Sequence, residues 1–330
     1  MDIFLQQLIN GVTLGSVYAV VALGYTMVYG IIQLINFAHG EVVMIGAMVA
    51  YTVLVALSAG APGLPPLLIV GASVLAAVPA CMAVGYTLER VAYRPLRRAP
   101  RLAPLITAIG VSIILQHLAL LVWSRNVMAF PQIIRAETYT VGGAAITNVQ
   151  VAIVLLCVAI MGGLAFLVYR TRLGTAMRAT AQNPQVAGLM GVDVNRVIAA
   201  TFVIGAGLAA VAGVMVGTYY GIAQYTMGSI LGLKAFAAAV LGGIGNIPGA
   251  MLGGVLLGVV EALGAGYIGD VTDMCRYSWL AGLVEERCRA DGHFILFGSN
   301  YQDVFAFVVL ILVLVLRPSG LLGERVGDRA

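Results

Sequence analysis

Charge is what this chain has least of. Only 10% of its 330 residues are Asp, Glu, Lys or Arg, and Lys234 is the sole lysine among eighteen basic residues. Soluble domains carry about 25% charged residues, so a water-soluble fold is excluded at the outset. Histidine is as scarce, and His39, His117 and His293 lie too far apart for metal-ligand spacing. No metal or cofactor is expected. The phosphate-binding pattern Gly-x-x-x-x-Gly-Lys-[Ser/Thr] does not occur, so any ATP hydrolysis must take place on another chain. No nucleophile stands with a base and an orienting group in catalytic spacing, which argues against an enzyme. The start, Met1-Asp2, lacks the basic region of a cleavable signal.

Apolar residues fill the space that charge leaves: 61% of the chain is hydrophobic, with a mean hydropathy of +1.00. The apolar runs lie near 5–29, 34–57, 66–89, 102–123, 149–169, 197–220, 232–245, 248–268 and 302–316. A bilayer core about 30 Å thick takes roughly 20 apolar residues per helix, and seven of the runs meet that length. The run 232–245 is short and glycine-rich, as is 30–41 before the second run. The expectation is a single all-α transmembrane domain over 1–330, a polytopic helical bundle of eight or nine crossings with short or interrupted helices.

Basic residues set the expected orientation. Twelve of the eighteen fall in 89–101, 170–196 and 317–330, and six elsewhere: Arg125, Arg135, Lys234 (read as interfacial), Arg276, Arg287 and Arg289. The positive-inside rule assigns the first group to the cytoplasm. Nine crossings then leave the N-terminus outside and the C-terminus inside. The net charge of +4 reflects this topology and calls for no nucleic acid.

Glycine is abundant, with 41 residues against a usual share of about 7%. Four-residue spacings such as Gly11 and Gly15, Gly213 and Gly217, and Gly254 and Gly258 put small residues on one helix face, where helices approach closely. Two glycine-bearing stretches read as breaks. In Gly30-Ile-Ile-Gln-Leu-Ile-Asn-Phe-Ala-His-Gly-Glu41, the groups Gln33, Asn36, Phe37, His39 and Glu41 sit between apolar runs. Polar groups at membrane depth are costly and face a bundle interior or a cavity, so these are candidate pathway residues. Asn246, in Leu241-Gly-Gly-Ile-Gly-Asn-Ile-Pro-Gly249, joins them on the same argument. A tight turn with capping polar groups is the other reading of both stretches. A faint internal duplication pairs the spans Gly15 to Gly30 and Gly205 to Gly221, each followed by a break.

The segment 170–196 differs from the rest. Asn183-Pro184 is a helix-start signal, and a short amphipathic helix closed by Gly191 follows it. Its apolar residues Val186, Ala187, Leu189 and Met190 are expected to be exposed, which suits docking into a partner's groove. On the outer side Cys275 and Cys288 are expected to form a disulfide, whereas Cys81 and Cys157 lie within spans and read as packing. His117, beside Gln116, reads as an interhelical hydrogen-bonding residue.

Several motifs in order carry a family resemblance: Asn10-Gly-Val-Thr-Leu-Gly-Ser-Val-Tyr-Ala, Ile35-Asn-Phe-Ala-His-Gly-Glu41, Arg178 to Gly191, Phe236 to Pro248 and Arg317-Pro-Ser-Gly-Leu-Leu-Gly323. The chain resembles, over nearly its whole length, the inner-membrane permease subunits of branched-chain amino-acid ABC importers. The resemblance implies a second homologous permease, two ATP-binding cassette subunits, a periplasmic or lipid-anchored solute-binding protein and a bacterial inner membrane lipid setting. It makes Asn183, Pro184, Ala187, Gly188, Leu189, Met190 and Gly191 the coupling segment to the ATPase. The extended outer loop 269–300 departs from the family pattern. Related permeases carry urea, short amides or aromatic acids, so an ABC permease for one of these is the alternative within the class. An ion-coupled secondary transporter is the alternative from another class, with His39 and Glu41 as its relay, although i and i+2 do not share a helix face.

Overall fold

A computed structural model describes residues 2–272 and 301–323, apart from 62, 98 and 101. Its long helices are α1 (Asp2–Ile32), α2 (His39–Gly60), α3 (Pro66–Thr87), α4 (Leu102–Val122), α5 (Asn148–Arg170), α8 (Val194–Tyr220) and α10 (Ile247–Val271). Seven helices are long and apolar enough to cross a membrane, and two shorter apolar ones, α9 (Met227–Gly242) and α11 (Gln302–Leu316), accompany them. Two short polar helices, α6 (Arg172–Gln182) and α7 (Pro184–Leu189), lie between α5 and α8. The fold is thus the all-α polytopic bundle expected, since a helix satisfies its own backbone groups where no water can.

Local chemistry fixes the boundaries. Thr147 and Gln150 form a reciprocal capping box at the start of α5, and the Asp193 carboxylate accepts from the Asn195 and Arg196 amides to open α8. Gly221, at φ 67°, closes α8 in the left-handed region. A π-helical turn, Leu88–Tyr93, carries α3 onward without interruption. The short run expected at 232–245 is instead the helix Met227–Gly242, because the turn that ends it, with Gly243 at φ 105° and Gly245 at φ 96°, is built from the run's own last glycines. The break expected at 241–249 is this turn between α9 and α10, and a further break at 221–226 separates α8 from α9.

The bundle has two distinguishable ends. At one, the hairpin of β1 (Thr138–Val141) and β2 (Ala144–Thr147) exchanges two hydrogen bonds with Gln6 of α1, at 2.7 and 3.0 Å. At the other, Arg97 donates to Asn195 at 2.7 Å, Arg178 lines a cavity with Gly30 and Gly245, and Asn246 donates to the Leu322 carbonyl at 2.7 Å. The basic segments around 94–97, 170–196 and 317–323 therefore share one end, here called the α7 end. There Arg97 also binds the Glu89 carboxylate. Partial burial draws the Arg97 guanidinium below its ordinary pKa, while that carboxylate pulls it back up.

Close packing runs down the middle. A Cβ added at Gly11 would lie 2.6 Å from the Val259 Cα, and one at Gly15 would lie 2.6 Å from the Val255 Cα. The four-residue glycine spacing thus lets α1 and α10 pack backbone to backbone. Where α2 and α9 begin, Gly40 and Gly232 meet as closely, with 2.8 Å from an added Cβ to the facing Cα.

Candidate functional site

The chain leaves α1 through Gln33, a non-glycine residue at φ 54°, and re-enters the bundle as residues 34–38. Asn36 is buried, and its Oδ1 accepts from the Tyr93 hydroxyl at 2.9 Å. Phe37 packs against Phe236 of α9 with the rings tilted by 53° and their centroids 5.5 Å apart. His39 is buried edge-on against Tyr25 at 4.8 Å, and its Nε2 has no hydrogen-bond partner among the described residues. Glu41 is 1% exposed. One of its oxygens accepts from Ser112 at 3.2 Å, and the other faces Gly228 without a partner.

Four elements thus converge on this segment: α1, the π-helical turn, α4 and the start of α9. Gln33 is set apart from the rest. It is exposed at the α7 end and lines a cavity of about 830 Å³ with Arg94, Arg97, Gln182 and Gln185. Asn246 is also apart, as the cap of α10, where its Oδ1 accepts from Gly249 N at 3.4 Å while its amide holds the Leu322 carbonyl. Its geometry is that of a capped tight turn.

The α7 segment takes the expected form. Asn183 accepts from the amides of Gln185 and Val186, Pro184 occupies the first helical position, and Gly191 at φ 86° closes the turn. Val186, Leu189 and Met190 are exposed, the last two by 87% and 81%. Ala187 corrects the expectation, because it is buried. In so short a helix its side faces inward, and its carbonyl accepts from Val192.

A cluster with no counterpart in the sequence reading lies between α1, α9, α10 and α11. Lys234 is not interfacial but buried, with Nζ 2.7 Å from Glu261 Oε1 and 2.6 Å from Asp303 Oδ1. The Tyr18 hydroxyl donates to the other Glu261 oxygen at 2.9 Å. The available signal was the sole lysine in an apolar run, with one carboxylate in the run that follows.

The cysteine pair 275 and 288, with nearly all of the outer loop, falls outside the described residues. Cys81 and Cys157 are buried free thiols, as expected. His117 bonds the Ile113 carbonyl of its own helix at 2.9 Å, and no bond from it to a second helix is present among the described residues. Among the described residues no group of His, Cys, Asp or Glu could hold a metal ion.

Among the described residues, nine apolar helices around a buried polar interior define a multi-pass membrane protein with the makings of a solute permease. The chain belongs to the family described as branched-chain amino acid transport system, permease component, whose model matches residues 7–314. It is 45% identical over 325 residues, 97% of this chain and 96% of the relative, to the high-affinity branched-chain amino acid transport system permease protein BraD of Pseudomonas aeruginosa. Against the permease protein LivH of Escherichia coli K12 the identity is 44% over 327 residues, with 97% and 96% coverage. A probable branched-chain amino acid transport permease of Methanocaldococcus jannaschii shares 27% over 323 residues, covering 93% of this chain and 89% of that one. No solved structure matches the chain. The family is one of transport permeases, not enzymes.

Proposed function

We propose that this chain is the membrane-spanning subunit of an ATP-driven importer of branched-chain amino acids, working with partners that bind the solute and hydrolyse ATP. The observation that carries the reading is near-full-length identity above 40% to permeases named for that transport. The partners are a second homologous permease, two ATP-binding cassette subunits at the α7 end and a solute-binding protein at the hairpin end. The gathering of basic segments at the α7 end supports a cytoplasmic placement for it, which puts the N-terminus outside.

Coupling runs through Asn183 to Gly191. The exposed Leu189 and Met190 are its anchors, since a few buried apolar contacts dominate such an interface. The pathway passes the segment Gln33 to Glu41. A carboxylate and an imidazole with unpaired atoms at membrane depth suit groups that acquire partners when the bundle changes state, and Asn246 holds the turn that closes α9 against α10. The test is uptake by proteoliposomes containing the full complex. Import of leucine should require both ATP and the binding protein. Uptake without either, driven by a proton gradient, would replace this reading with a secondary transporter.

A further inference from the structure

One cavity combines an apolar wall with a buried charge. It holds about 240 Å³, and its lining brings the apolar Val216, Met227 and Ile230 together with Tyr18, Tyr220 and Lys234. A cavity of this size has room for a free aliphatic amino acid. Two other cavities of the bundle, between α1 and α5 and between α5 and α8, have no charged residue in their walls.

Lys234 is the charged residue of the lining, and its ammonium meets two carboxylates that lie behind that lining, Glu261 and Asp303. Glu261 is locked, with its oxygens taken by Lys234 and Tyr18. Asp303 is the looser partner, held by Lys234 from the first turn of α11, with 43% of its side chain exposed.

The geometry points to this cavity as a transit subsite for a zwitterionic amino acid, which inserts its charged end into the Lys234–Asp303 pair. The substrate carboxylate takes the place of Asp303 on the Lys234 ammonium, and Asp303 receives the substrate's ammonium. Each displaced ion pair is thus replaced by another, and no net charge is carried into the bundle. The aliphatic side chain lies against Val216, Met227 and Ile230. The site rests on the importer reading and adds to it the residues that recognise the amino acid.

The experiment uses the complete complex in proteoliposomes with leucine and valine, which differ by one methylene. Val216→Phe should narrow the apolar wall and lower the leucine-to-valine uptake ratio about tenfold, the low end of what one methylene is worth in such a pocket. Ile230→Ala, a milder change, should raise the ratio. Asp303→Asn should lower uptake of both at least tenfold, while ATP hydrolysis stimulated by the loaded binding protein persists. An unchanged ratio in both wall variants, or wild-type uptake by Asp303→Asn, overturns the subsite. A wild-type complex that imports no amino acid overturns the underlying importer reading instead.

Discussion

The cluster on Lys234 makes a quantitative prediction about stability. Glu261 is 2% exposed on its side chain, and Lys234 8%. Lys234→Met therefore strands a buried carboxylate whose remaining partner is the Tyr18 hydroxyl, at a cost of about 3–5 kcal/mol for a broken buried pair. Asp303, half-exposed, turns to water and adds at most about 1 kcal/mol. Glu261→Leu alone leaves Lys234 its Asp303 partner and its bond to the Tyr18 hydroxyl, so the damage is smaller, about 1–3 kcal/mol, including the acceptor that the Tyr18 hydroxyl loses. In the double variant Lys234→Met/Glu261→Leu no buried charge remains, and its loss should be close to that of Glu261→Leu alone. The double variant should then be more stable than Lys234→Met, with a coupling energy equal to the whole Lys234→Met loss, about 3–5 kcal/mol. Equilibrium unfolding in detergent, followed by helix content for the four proteins of the cycle, measures it. If the two single losses simply add, the charges do not interact and the argument fails.

Three further outcomes follow from the geometry. Gly258 packs against the Gly15 backbone, so Gly258→Leu must push α1 from α10 and should cost at least the 1–3 kcal/mol typical of overpacking, read in the same unfolding assay. Leu189→Asp and Met190→Asp put charge on exposed anchors and should abolish co-purification of the ATPase subunit with the bundle intact. Ala187→Asp, buried in this chain, should also lower the bundle's own stability. A cysteine at Arg178 should react with an impermeant maleimide only from the cytoplasm and one at Glu137 only from outside, and the reverse pattern would invert the proposed orientation.

How much of this was legible in the sequence depended on whether a residue's role is local. Apolar length is local, so the helices α4, α5 and α11 fall where the hydropathy runs lie. Capping is local too: Asn183-Pro184 and Gly191 marked α7 because cap chemistry is settled within a few residues. Side-chain facing in a six-residue helix was not legible. Periodicity needs more than one turn and a half to separate Ala187 from Val186 and Leu189. The breaks were half legible: glycine marked the α9–α10 turn, yet the earlier break at 221–226 carries a polar, tyrosine-bearing stretch that reads as an ordinary loop.

The ion cluster shows the harder limit. Tyr18, Lys234, Glu261 and Asp303 come from four helices, and no spacing along the chain relates them. A buried lysine can persist only where carboxylates meet it, so Lys234 alone implied partners without saying which. Of the fourteen acidic residues, Glu41, Glu89, Glu261 and Asp303 all lie within apolar or near-apolar segments and were equal candidates. What selects Glu261 is the glycine seam. Gly11, Gly15, Gly254 and Gly258 draw α10 against α1, which brings Glu261 into hydrogen-bonding range of Tyr18, and the short turn Gly243–Asn246 folds α9 back on α10. The residues that set the position of the charge are therefore glycines with no side chains of their own, and a variant that opens the seam at Gly258 should disturb uptake through Lys234 without touching it.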